Sequence, residues 1–522
     1  MKRLTSRLVM FGITLALSGA VTRGAGPSQS EIIAKTHFAG FQQVNADRNG
    51  TVFKEVWNLP ATIQLRSQAL DKLAAAMAAS FQPKGATAGT CATLIRPLLE
   101  DVCTAESCAE VSEQANGTLD CTFALNLPEN RRQVWQANWS QLLSSWEPRS
   151  GIRVTRLTTF VINSWFAVRC ISGPKESAAA QAPESSLWSK IKQGQRPVAE
   201  LRDSWFRAEA DLGRLAAQLG CGQCASLPRV DLTLAGRNEY VRSQARLTFR
   251  DPVVTRVETW QVPVDTIRDP LISFTAVQGL APLLKKQPLI QQLGLDRLPN
   301  QLFLWGLSQT PFQIQAAVPI ANATTAFDRI AQQWVPGFNQ TLAEYAVGSI
   351  RPLTNRVELI WRGLPILVPY LEPIRDNGRE YLHAGIFPVN PSPNPAPAAL
   401  FEQVTARTNL LFFEWEITQA RLDQLRPLLQ VVAPFLTVSP MSTNSPAYRW
   451  LDAVEPRLGN TATEVTVASP RELAAVRTSH LGLNGLELLT LANWLEGTNF
   501  PQMNLEFGFR PTPKVGTRRG NR

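Results

Sequence analysis

The sequence predicts an α+β protein in which antiparallel sheets are backed by helices, arranged as two related strand-helix-strand-strand halves. Three observations carry this expectation. Short runs alternate apolar and polar residues, the pattern of a half-buried strand. Each such run leads into apolar residues at helical spacing. The order recurs along a chain of 522 residues, too long for one hydrophobic core.

In the first instance Leu119, Cys121, Phe123, Leu125 and Leu127 alternate with polar or small residues, and Trp135, Trp139, Leu142 and Trp146 then share a helical face. Strands at 153–160 and 164–171 follow. In the second, Phe312, Ile314, Ala316 and Val318 precede Phe327, Ile330, Ala331 and Trp334, with strands at 356–361 and 379–386. In the third, Leu411, Phe413, Trp415 and Ile417 feed Leu422, Leu425, Leu429 and Val432. Between the first two lie a helical stretch, Val198–Leu219, and a hairpin of Val230–Leu234 with Tyr240–Phe249. A strand feeding a helix that packs back on its sheet is the common element.

The expected organisation is a signal peptide at 1–20, an N-terminal α+β domain at 27–171, a linker at 172–186, a helix plus hairpin segment at 187–265, a C-terminal α+β domain at 266–510 and a basic disordered tail at 511–522. The linker SGPKESAAAQAPESS is small, polar and aperiodic, and PVNPSPNPAPA at 388–398 holds too much proline for regular structure. At the start, Lys2, Arg3 and Arg7 precede the apolar run Leu8–Leu17 and the small residues Ser18-Gly19-Ala20. That is the layout of a cleavable leader, and the run is too short to anchor the chain across a bilayer. An exported protein, periplasmic or secreted, is therefore expected, with no transmembrane helix in the mature chain.

The net charge of +10 invites a nucleic-acid reading. Setting aside three cations in the leader and Lys514, Arg518, Arg519 and Arg522 in the tail leaves about +3, an ordinary value for a body of this size. No nucleic-acid partner is expected. The tail offers at most a weak contact with an anionic surface.

All seven cysteines fall between Cys91 and Cys224. An oxidising compartment permits disulfides, and Cys103 with Cys108, and Cys221 with Cys224, are close enough in sequence to pair. Cys221-Gly-Gln-Cys224 also has the spacing of thiol–disulfide oxidoreductases. Those need the first thiol at a helix N-terminus, and here a helical stretch precedes the motif, so a local disulfide is preferred.

Other chemistry finds little support. The three histidines, His37, His383 and His480, lack zinc-ligand spacing, and each reads as structural. No nucleophile elbow or phosphate loop occurs. Asn45–Val52 has the early oxygen ligands of a calcium loop, but Val56 stands where the bidentate acid belongs, so Asp47-Arg-Asn49-Gly50 reads as a turn before the Val52–Trp57 segment. Neither a metal nor a cofactor is expected. Glu414 and Glu416 share one face of a strand, read as solvated. They would serve an extracytoplasmic carboxylate-dependent hydrolase only if held 5–10 Å from a partner acid in a cleft. The Trp135, Trp139 and Trp415 side chains fall on periodic apolar faces, whereas Trp188, Trp205 and Trp450 do not, and these three are the candidate ligand-contact aromatics.

Thr36-His37-Phe38-Ala39-Gly40, Val56-Trp57-Asn58-Leu59-Pro60, Leu70-Asp71-Lys72-Leu73, Asp269–Gly279 and Leu481–Leu489 resemble stretches in a group of uncharacterised exported bacterial proteins. The resemblance spans most of the mature chain and implies export and a shared fold, with no activity to carry over. The expected function is a non-enzymatic binding or scaffold module of the periplasm or cell envelope, with lipid, peptide or glycan as its ligand. A carboxylate-dependent hydrolase and a thiol–disulfide protein using Cys221 and Cys224 are the alternatives.

Overall fold

The computed structural model describes residues 31–502, apart from 81, 84–87, 115–117, 145, 148–153, 173–183, 199–200, 202, 219–225, 254–256, 294, 296, 309–312, 334, 343–346, 354–355, 364–366, 389–391 and 433–440. The leader, most of the linker, Cys221, Cys224 and the basic tail lie outside the described residues.

The first half runs through β1 (Glu31–Phe38), α1 (Phe41–Ala46), α2 (Thr51–Trp57), α3 (Pro60–Ser80), β2 (Gln82–Pro83), α4 (Ala88–Thr104), β3 (Ser107–Glu113) and β4 (Leu119–Asn126). It continues with α5 (Glu129–Ser144), β5 (Trp146–Glu147), β6 (Val154–Ile162), β7 (Trp165–Ser172), α6 (Ser186–Lys192), β8 (Phe206–Asp211), α7 (Leu212–Gln218), β9 (Arg229–Arg237) and β10 (Tyr240–Thr248). The second half begins with β11 (Leu271–Gln278), α8 (Ala281–Leu284), α9 (Pro288–Gln292), β12 (Gln301–Leu307), β13 (Ile314–Pro319), α10 (Ala323–Gln333) and α11 (Val335–Leu342). There follow β14 (Val347–Leu353), β15 (Arg356–Arg362), β16 (Tyr370–Asp376), β17 (Arg379–Gly385), α12 (Ala398–Thr405), β18 (Leu410–Ile417), α13 (Thr418–Val432), α14 (Pro446–Val454), β19 (Asn460–Ser469), β20 (Glu472–Ser479) and α15 (Gly485–Glu496).

Eighteen of these strands form one antiparallel sheet, while β2 and β5 pair apart. Following the pairings from one edge to the other gives β6-β7-β4-β3-β1-β8-β9-β10-β20-β19-β18-β11-β12-β13-β17-β16-β15-β14. The two halves match strand for strand. β1 lies between β3 and β8 as β11 lies between β12 and β18, and β9–β10 answers to β19–β20. The two last strands of the halves, β10 and β20, pair with each other at the centre. Gln244 and Val476 stand the same distance from their hairpin turns and face each other, so a pseudo-twofold axis passes between them. The second half adds the hairpin β14–β15 at its edge.

Local sequence explains the tight turns. The loops of β6–β7, β9–β10 and β16–β17 hold two residues each and begin with Asn163, Asn238 and Asn377, all at positive φ, the conformation a twisted two-residue hairpin requires. β1 and β11 both run out into a left-handed glycine, Gly40 (φ 84°) and Gly279 (φ 88°). At Gly40 a Cβ would meet the Glu106 backbone nitrogen at 2.6 Å.

Two expectations are corrected. Val198–Leu219 is not one helix: Phe206–Asp211 is a strand inserted between β1 and β9, and among the described residues of this stretch only Leu212–Gln218 is helical. Sheet pairing overrides local helix preference there. The strands at 356–362 and 379–385 are not neighbours, because Tyr370–Asp376 lies between them.

One face of the sheet carries α2–α5, α7, α10, α11 and α13–α15, and the opposite face carries α6 and α12. In the first half Leu70, Ile95, Leu99, Trp135 and Phe166 fill the core under α3–α5. In the second, Phe274, Phe303, Trp305 and Phe413 pack beneath Leu400, Phe401 and Val404 of α12. A third core joins the halves, with Val56 and Leu65 packed among Leu422, Trp450, Leu451 and Leu488. Lys72 Nζ donates to the carbonyls of Leu495 and Glu496, capping α15 from the other half.

Candidate functional site

Trp188, Trp205 and Trp450 are all buried and belong to three separate cores, so they form no ligand platform. Each indole is used internally. Trp205 Nε1 donates to Asp47 Oδ2 at 2.8 Å, Trp450 Nε1 donates to Thr62 Oγ1 at 3.1 Å, and Trp188 packs on Leu187 and Ile191 below α6. Asp47–Gly50 form the turn between α1 and α2. Asp47 accepts from the Asn49 backbone and side chain as well as from Trp205, which leaves its carboxylate engaged by the protein. Cys103 and Cys108 are unbridged, one closing α4 and the other opposite Ala124 in β3.

Glu414 and Glu416 differ most from the sequence reading. Their strand face is not solvated: α13 and α15 lie over it, and Glu416 is 3% exposed. Glu416 Oε1 accepts the Gly485 amide at 2.7 Å. Burial pushes the Glu416 carboxyl above its usual range, and nearby Glu414 adds to this. Burial likewise lowers the Arg421 guanidinium, against the pull of Glu416 and Glu414. Glu414 accepts from Asn484 Nδ2 at 3.0 Å and Thr463 Oγ1 at 3.2 Å, and Arg477 Nε donates to Thr463 Oγ1 at 2.8 Å. Glycines make room, since a Cβ at Gly306 would meet Ser273 Oγ at 2.7 Å and Arg421 at 3.0 Å.

The first half shows what this network replaces. Counting back from the two left-handed glycines aligns Ala34 with Ser273, and the sheet register then aligns the rest. Ala208, Ala210, Val230, Leu232 and Ala245 occupy the places of Glu414, Glu416, Thr461, Thr463 and Arg477, and Leu215 that of Arg421. The same fold is thus apolar at this spot in one half and ionic in the other. The network satisfies itself beneath two helices, with Glu416 buried and Glu414 partly so.

The opposite face offers the accessible surface. Between α6 and α12, strands β8, β9, β10, β20 and β19 lie side by side, and among the described residues no helix packs over them; the floor is about 20 Å wide at the usual strand spacing. The pseudo-twofold axis runs through it. Lys35, Arg207, Arg229, Arg242 and Arg246 project onto this floor, with Glu209, Asp231, Glu472 and Glu464. Lys35 and Arg207 reach Glu209 at 3.0 and 3.2 Å, and Arg246 reaches Glu472 at 3.1 Å. Partial burial pushes the Glu209 carboxyl up, but the Lys35 hydrogen bond and the charges of Lys35, Arg207 and Arg229 outweigh it and hold it low. Arg242 has no acidic partner among the described residues. Sequence reading missed this surface. Its signal was present in β10, where Arg242, Gln244, Arg246 and Thr248 alternate with Val241, Ala245 and Leu247.

A second opening of about 370 Å³ lies at the far side of the second half, lined by Arg297, Arg375, Arg379, Glu258 and Glu380. Among the described residues there is no group of three or more metal-ligating side chains, and no helix is long and apolar enough to cross a membrane. Comparison with family models, with curated proteins and with solved structures finds no match to this chain.

Proposed function

We propose that the protein is an exported, non-enzymatic module of the cell envelope that holds an anionic partner against the open floor of its sheet. The observation that carries this reading is the five-strand face on the pseudo-twofold axis, with four arginines on it, Lys35 beside it on β1, and no acid paired with Arg242 among the described residues. Guanidinium groups on a rigid sheet suit carboxylate or phosphate groups of an extended ligand, because their donors are held in a planar fork. The burial of Glu416 under α13 and α15 also favours binding over hydrolysis, since a catalytic carboxylate must meet its substrate.

The test compares wild-type protein with Arg207→Glu/Arg242→Glu/Arg246→Glu in co-sedimentation with purified cell-wall sacculi and with phosphatidylglycerol vesicles at about 0.05 and 0.3 M salt. Binding of the wild type to either material, weakened at least tenfold in the triple variant and by salt, is expected. Equal retention of both proteins on both materials, or retention of neither, would sink the reading. The exported state is checked by N-terminal sequencing of protein from its host, where a start near residue 21 is expected.

A further inference from the structure

We propose that Cys121 and Cys170 are an oxidation site, closing to a cross-strand disulfide as the chain folds in an oxidising compartment. This rests on the export reading above. The antiparallel pairing of β4 and β7 sets Cys121 directly opposite Cys170, so both side chains leave the same face of the sheet. Directly opposed Cβ atoms lie about 4.5–5.5 Å apart in such a ladder, a spacing from which small adjustments bring two sulfurs into bonding range. The register is held on both sides, by Val111 opposite Cys121 and by Leu157 opposite Cys170. Among the described cysteines, Cys108 lies in β3 opposite Ala124 and packs in a different core, beneath Leu187 and Trp188. Cys121 and Cys170 share an apolar core with Ile33, Val111, Leu119 and Leu215. The matching place in the second half holds Ile314 beside Ile386, whose amide donates to the Ile314 carbonyl at 3.2 Å. An ordinary aliphatic pair fills the space there.

The oxidant is a disulfide, protein-borne or small. One cysteine thiolate attacks a sulfur of that disulfide, forming a mixed disulfide and releasing one donor thiolate. The second cysteine thiolate then attacks the protein sulfur of the mixed disulfide and expels the other donor thiolate. Two thiol protons and two electrons leave the protein, and the donor becomes two thiols. Burial pushes the Cys170 thiol up to about 12 and the Cys121 thiol well above its usual range. The folded dithiol therefore offers almost no thiolate, so exchange precedes the closing of β4 on β7, and the finished bond is shielded from reductants.

The test refolds the full-length protein in a glutathione redox buffer, blocks thiols with N-ethylmaleimide in denaturant without reductant, and maps the digest by mass spectrometry. A Cys121–Cys170 linked peptide is expected, two hydrogen masses lighter than its parts, lost on reduction and absent from Cys170→Ala. Recovery of both cysteines as maleimide adducts, or linked elsewhere, overturns the proposal. The same map of protein isolated from its host separates the two readings. The link in both samples sustains pairing and export together. The link in refolded protein with blocked thiols in host material sustains the pairing and overturns the oxidising compartment.

Discussion

His480 shows how one side chain in this fold responds to pH. Its ring is 9% exposed, stacks on Tyr240 at 4.6 Å between centroids, and accepts the Gly459 amide through Nδ1 at 2.8 Å. Burial lowers its pKa below the ordinary value, although Glu239 pulls the other way. The unfolded chain then takes up a proton near pH 6.5 that the native state declines, so stability falls as pH drops through that region and levels once the native ring also protonates. Protonation of Nδ1 would also cost the Gly459 bond. Between pH 7.5 and 5.5 the wild type should lose more of its urea midpoint than His480→Gln does. Parallel pH profiles for the two proteins would show that His480 contributes nothing to acid sensitivity.

At the scale of elements, the ionic patch under α13 and α15 contrasts with its apolar counterpart under α7. Removing Glu416 alone leaves the half-buried Arg421 guanidinium with less compensating charge, and removing Arg421 alone strands the buried carboxylate. Each single change, Glu416→Ala or Arg421→Leu, should cost about 3 kcal/mol. The double change recreates the Ala210 and Leu215 of the first half and should cost about 2 kcal/mol less than the sum of the singles. Urea denaturation of the four proteins measures the cycle, and additive losses would mean the two groups are not coupled. The contrast also explains what could be read in advance. The α+β class, and the strand–helix pairs at Leu119–Ser144, Ile314–Gln333 and Leu410–Val432, rest on local periodicity, which needs no knowledge of partners. The covering of Glu414 and the burial of Glu416 depend on α15, some seventy residues later, lying across β18. Trp205 likewise falls outside any periodic face yet is buried, because Gly50 and Gly236 leave space where a Cβ would come within 2.1 and 2.4 Å of its ring. Such burial is set by tertiary contacts that no local pattern encodes.

For the whole molecule, duplication raises the question of whether the halves are independent. Each repeats the same strand order and has a core of its own, under α3–α5 and under α12. Two features argue against autonomy. β10 and β20 pair along their full length, from Val241 with Ser479 to Thr248 with Glu472, so separation would bare two long sheet edges. The core of Val56, Leu65, Leu422, Trp450 and Leu488 would be cut open, exposing apolar surface on α2, α3 and α13–α15 at once. Ties of Lys72 to α15, Arg457 to Glu55 at 2.6 Å and Trp450 to Thr62 would go with it. Residues 27–253 and 257–510 produced separately should therefore aggregate or lack cooperative unfolding, and should recover native circular dichroism when co-expressed. The intact chain should unfold in urea as a single transition by both fluorescence and circular dichroism, because the shared core and the β10–β20 ladder make each half part of the other's folding unit. A soluble, monomeric 27–253 fragment with its own sharp transition would show instead that the first half closes its sheet edge and its α2–α3 face without help from the second.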